Sequence, residues 1–84
     1  MTSPMVLNIL RSVLDELDRR ELIDVVPGIS LDALVQDVAS RLQGQRAFAQ
    51  FSTWLSGALL MSPHVEELYA TDQELVDILR EVNP

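Results

Sequence analysis

His64, Glu66 and Glu67 are the nearest approach to a chemical motif in this chain. An imidazole beside two carboxylates can bind a metal or move protons, and His64 is the only histidine. Histidine is the one residue type whose ordinary range lies near neutrality. A stable metal site, however, gathers three or four ligands that converge. These three residues instead follow Ser62-Pro63, a helix-start signal, in a first turn where acids face the positive end of the helix dipole. No metal is assigned to them.

Other catalytic patterns are equally thin. Serines are plentiful, yet none stands in a Gly-x-Ser-x-Gly elbow, and the lone histidine follows a proline. A hydrolytic nucleophile needs an orienting base, and the spacing supplies none. The three glycines, at 28, 44 and 57, are too dispersed for a phosphate-binding loop. The carboxylate pairs Glu66/Glu67 and Asp15/Asp18 read as solvated helix faces. The expectation is a non-enzyme with no cofactor.

Charge narrows the partners. Six arginines and no lysine stand against 13 acidic residues, for a net charge of −7. Nucleic-acid affinity rests on neutralising phosphates with cations, so direct binding to DNA or RNA is not expected. The same balance disfavours anionic membrane surfaces. Six of the carboxylates, Glu66, Glu67, Asp72, Glu74, Asp77 and Glu81, lie after Ser62 and face Arg80 alone. This acidic third reads either as a solubilising exterior or as a docking face for a basic partner. No cysteine is present, which removes disulfides and fits a reducing cytoplasm. No signal peptide is visible, because the early apolar run breaks at Asn8 and Arg11.

The elements that would carry these residues are helical. With 84 residues and 48% hydrophobic content, the chain suits one small domain over 1–84. Val6, Leu10, Val13, Leu14 and Leu17 recur at helical spacing after Ser3-Pro4, predicting a helix over about 4–21. Continued further, the wheel would bring Arg20, Glu21 and Asp24 onto the apolar stripe, so the helix ends or changes face between Arg19 and Asp24. Ile23, Val25 and Val26 are β-branched, so Leu22 to Val26 favours an extended or irregular run, and Pro27-Gly28 turns the chain. Ser30 then caps a second helix, 31–43, with Leu31, Leu34, Val35, Val38, Ala39 and Leu42 on one side and Gly44 as its stop. Ser62-Pro63 predicts a short helix over 63–70. The capping-box spacing Thr71 to Glu74 opens a last one over 72–82.

Between them lies the chargeless stretch Ala47–Met61, which predicts a central helix over 46–61. Phe48, Phe51, Trp54, Leu55, Ala58, Leu59 and Met61 fill a broad apolar arc. The opposite face is small and uncharged where an ordinary surface helix carries Glu, Lys or Arg. Ala49, Thr53 and Gly57, four apart, would admit the backbone of a neighbouring helix. Either other helices of the same chain cover this face, or a partner does.

The fold expected is all-α, a compact bundle of four to five short helices around a central hydrophobic one. The function expected is a non-catalytic, acidic protein-protein interaction module that self-associates or serves as a subunit of a larger assembly. Its partner-binding residues would be Ala49, Thr53, Gly57, Tyr69, Glu66 and Glu67. The alternative is an acidic inhibitor that covers a basic surface of an enzyme or nucleic-acid-binding protein. The central stretch is no membrane span, since its 15 residues reach about 22 Å as a helix against a core of about 30 Å.

Overall fold

Periodicity and end signals together account for most of the backbone. The computed structural model describes residues 4–42 and 51–82. Its element order is α1 (Pro4–Arg19), β1 (Ile23–Val25), α2 (Leu31–Arg41), α3 (Phe51–Met61), β2 (Val65–Leu68) and α4 (Asp72–Val82). The protein is thus mostly helical, as its apolar spacing predicts, with a small two-stranded sheet that the all-α expectation lacks.

The ends of the helices follow from side-chain chemistry. Ser30 accepts a 3.1 Å hydrogen bond from the Ala33 backbone N–H at the start of α2. At α4 the capping box closes in both directions. Thr71 Oγ1 accepts from the Glu74 backbone N–H at 3.1 Å, and Glu74 Oε1 accepts from the Thr71 backbone N–H at 2.9 Å. Each such bond satisfies a donor that the first turn leaves free. Ser3, Gly44 and the residues 46–50 predicted to begin the central helix lie outside the described residues.

The first helix stops at Arg19 for a reason its wheel only hints at. The Leu22 backbone N–H reaches the Leu17 carbonyl at 2.8 Å, and the Glu21 N–H reaches the Asp18 carbonyl at 3.1 Å. This is a Schellman cap, in which the residue past the helix turns left-handed. Here that residue is Glu21, at φ 58°. A left-handed L-residue costs roughly 1–2 kcal/mol that glycine does not incur. Glu21→Gly should therefore raise stability by roughly 0.5–1 kcal/mol in urea unfolding. A loss of stability would mean that the Glu21 side chain contributes more than its backbone costs. The Pro27-Gly28 turn, by contrast, already has glycine at its left-handed position, at φ 90°.

The predicted helix over 63–70 does not form. Val65–Leu68 is instead a strand, antiparallel to β1, with Ile23 opposite Leu68, Asp24 opposite Glu67 and Val25 opposite Val65. Val65 and Leu68 are three apart, which suits one helix face and would place them on opposite faces of a regular strand. A register shift between Asp24 and Val25 leaves Glu66 as an extra residue, a bulge that returns both apolar side chains to the side of Ile23 and Val25. Ser62-Pro63 does cap, but it caps a turn. Ser62 Oγ accepts from the His64 backbone N–H at 3.2 Å, and the Ser62 carbonyl accepts from the Val65 N–H at 3.3 Å. The His64 carbonyl then accepts from the Val26 N–H at 3.0 Å, extending the ladder.

The core sits where the four helices converge. Leu10, Leu14 and Leu17 of α1, Val35 and Val38 of α2, Leu55 and Leu59 of α3, and Leu75 and Ile78 of α4 are all buried. α1 packs along α2 and against α4, while α3 packs against α4, β2 and α2. Arg20 ties the end of α1 to α4 by donating to both Glu16 and Glu81.

Candidate functional site

Eleven residues of α3, FSTWLSGALLM, contain no charge, and only Leu55, Ala58 and Leu59 are buried. Those three form the stripe that meets the core. Leu60 and Met61 remain 66% and 73% exposed, and Thr53 is also exposed. Phe51, Trp54, Ser56 and Gly57 are half-buried. Of the small-residue row, Thr53 and Gly57 fall on this outer side, and Ala49 lies outside the described residues.

A shallow concavity of about 430 Å³ runs between this face and the end of α2, lined by Arg41, Leu42, Thr53, Trp54, Gly57, Ala58 and Met61. Arg41 is the only charged residue in that lining among the described residues, and its Nε donates to Asp37 at 3.1 Å. Gly57 borders the concavity, and among the described residues nothing beyond its own helix backbone and chain neighbours lies within 4 Å of where a Cβ would stand. No close approach inside the described fold therefore demands a glycine at this position. A glycine inside a helix costs roughly 0.5–1 kcal/mol relative to alanine, and no contact among the described residues offsets it.

Glu66, Glu67 and Tyr69 belong to a different surface from the α3 face. They lie on and just after β2, and not on a short helix. Glu67 stands directly across from Asp24, and Tyr69 donates its hydroxyl to Asp24 Oδ2 at 2.6 Å. That hydrogen bond, with partial desolvation and the negative field of Asp24, Glu67 and Glu66, holds the Tyr69 phenol above its ordinary range. Tyr69 is 53% exposed, so this acidic patch with one aromatic faces solvent. His64 is in the turn before β2, with its backbone committed to the ladder. Among the described residues no three His, Cys, Asp or Glu side chains come together as metal ligands.

Asp37 lies off the apolar stripe of α2, yet it is half-buried and not simply solvated. Its Oδ2 accepts from the Ser62 hydroxyl at 2.6 Å and from Arg41 Nε at 3.1 Å. Ser62 is itself buried. The Ser62 hydrogen bond lowers the Asp37 carboxyl below its ordinary range. Partial burial opposes that shift, and Arg41 adds to it. The acid thus latches α2 to the turn between α3 and β2, a role that no local sequence signal could mark.

No protein-family model matches this chain, nor does any curated protein or solved structure. The surfaces themselves carry the functional reading. No helix among the described residues is long and apolar enough to cross a membrane.

Proposed function

We propose that this chain is a non-catalytic protein-interaction module that self-associates through the outer face of α3, as a homodimer or within a larger assembly. The observation that supports it is the pair Leu60 and Met61, exposed beside Thr53 and Gly57 on a helix without charge. A chain of net charge −7 repels its own copy unless the contact lies where carboxylates are absent. The face of α3 meets that condition, and Gly57 lets a second helix come close. The 11 described residues of α3 span about 16 Å, and their face alone falls short of the roughly 800 Å² per partner of a standard interface. The association is therefore weak and reversible, and it draws in the Trp54 concavity. A cysteine-free chain of this kind suits the cytoplasm.

Light scattering across a concentration series tests the reading. The mass should climb from monomer toward dimer as concentration rises. Gly57→Arg and Leu60→Glu should each hold it at the monomer without unfolding the chain, because both positions open outward. A wild-type chain that stays monomeric at every concentration would overturn the proposal.

A second reading, the acidic antagonist of a basic surface, draws on the sheet. Asp24 and Glu67 face each other across the strands, and like charges so placed weaken a sheet. A basic partner would relieve that repulsion. Such a complex must weaken steeply with added salt, whereas contact through α3 must not.

A further inference from the structure

A separate pocket of about 230 Å³ opens between α1, β1 and the turn that leads into α2. Leu14, Ile23 and Leu34 form its buried floor, and Val25, Ile29 and Leu31 are half-buried along its walls. The lining is completed by Asp15, Asp18 and Ser30, all three exposed and therefore at the rim. Asp15 is occupied by Arg19 at 3.0 Å. The Asp18 carboxylate has neither a hydrogen-bond nor an ion-pair partner among the described residues.

An apolar interior with an uncompensated carboxylate at its mouth is the complement of a long aliphatic chain that ends in a cation. Lysine and arginine are built this way, with stems that lie on apolar surface while the charged head stays near water. An anion would meet the field of Asp18 and of the whole acidic chain. A neutral apolar group would fill the floor and leave the carboxylate unused. The volume sets the scale, since pockets for drug-sized ligands measure about 300–1,000 Å³ and this smaller one suits a single side chain. We propose that the pocket receives a single lysine or arginine side chain of a basic partner protein, with its methylenes against Leu14, Val25 and Leu34 and its cation at Asp18. Among the described residues the site shares no lining residue with the α3 concavity, so it stands whether or not the chain self-associates.

The test is an NMR titration of the full chain with N-acetyl-lysine methylamide and N-acetyl-arginine methylamide. N-acetyl-norleucine methylamide serves as the uncharged match, and n-pentylammonium as a free amine. The charged amides should produce saturable shifts centred on the methyls of Leu14, Ile23, Val25, Ile29 and Leu34. Norleucine should bind about fivefold more weakly, as should the lysine amide to Asp18→Asn, while Asp77→Asn on α4 should change nothing. Norleucine binding as tightly as lysine would reduce the site to an apolar crevice and overturn the proposal. So would shifts that never saturate, or that survive Asp18→Asn unchanged. Pentylammonium binding more than about tenfold tighter than the lysine amide would assign the pocket to a free amine and remove the protein partner. The norleucine comparison uses only the wild-type chain, so it decides even if a variant folds poorly.

Discussion

Leu59→Ala should cost roughly 2–5 kcal/mol, while Leu60→Ala, one residue along the same helix, should leave stability nearly unchanged. Leu59 is fully buried against the core, and Leu60 is 66% exposed. Truncating Leu59 removes apolar surface from the interior and leaves a cavity that the surrounding helices fill only in part. For a domain of this size the whole stability is roughly 4–13 kcal/mol, so a loss of that order brings the chain close to unfolding. The thermal midpoint should fall by roughly 10–25 °C. Leu60→Ala exchanges one good helix former for another on a surface that no other described element covers. Its effect should appear instead as weaker self-association at high concentration. Scanning calorimetry on both variants settles the orientation of α3. Equal losses at the two positions would mean that a second element covers the outer face, and the interaction surface would lose its basis.

Asp37→Ala should be the most damaging change of a polar residue, at about 2 kcal/mol near neutral pH. It removes the acceptor for the buried Ser62 hydroxyl and for Arg41 together. Asp37→Asn keeps an acceptor but loses the charge, so its cost should be about half as large. The pH dependence separates the two effects. The Asp37 carboxyl sits below its ordinary range in the folded state, chiefly because of the Ser62 hydrogen bond. The ionised acid therefore contributes its full stabilisation above the unfolded pKa of about 3.9 and loses it as pH falls through the lower, folded pKa. The wild type and Asp37→Asn should differ by a constant amount from about pH 7 to pH 5, then converge below about pH 4. Urea unfolding at a series of pH values reads this directly. A gap that persists unchanged in strong acid would mean that the charge of Asp37 is not what stabilises the latch.

Much of the fold was legible because local rules agree with one another. The stripes of α1 and α2, the Ser30 cap and the Thr71–Glu74 capping box are decided within a few residues, by periodicity and by donors that need acceptors. The turn at Gly28 is equally local. What misled was Val65–Leu68, whose apolar residues three apart imitate a helix face. Only a distant partner strand, Ile23–Val25, with a bulge at Glu66, makes that pattern a strand. No rule confined to four residues can weigh that pairing. Asp37 shows the same limit. Its neighbours on α2 predict a solvated acid, and its role appears only when Ser62 is brought to it from a different element.

The candidate surfaces divide along the same line. That residues Phe51–Met61 form an uncharged helix with one bulky side follows from the sequence alone, because residue type and a period of 3.6 are enough to establish it. Whether the other side is covered depends on where α2, α4 and β2 come to rest, and that is set by the packing of the whole core. The tertiary structure packs all three against α3, buries Leu55, Ala58 and Leu59, and leaves Thr53, Leu60 and Met61 exposed. It also gathers Leu14, Ile23 and Leu34 from three elements into a pocket beneath Asp18. Such a site exists only as a meeting of distant segments, so no single stretch of the sequence contains it.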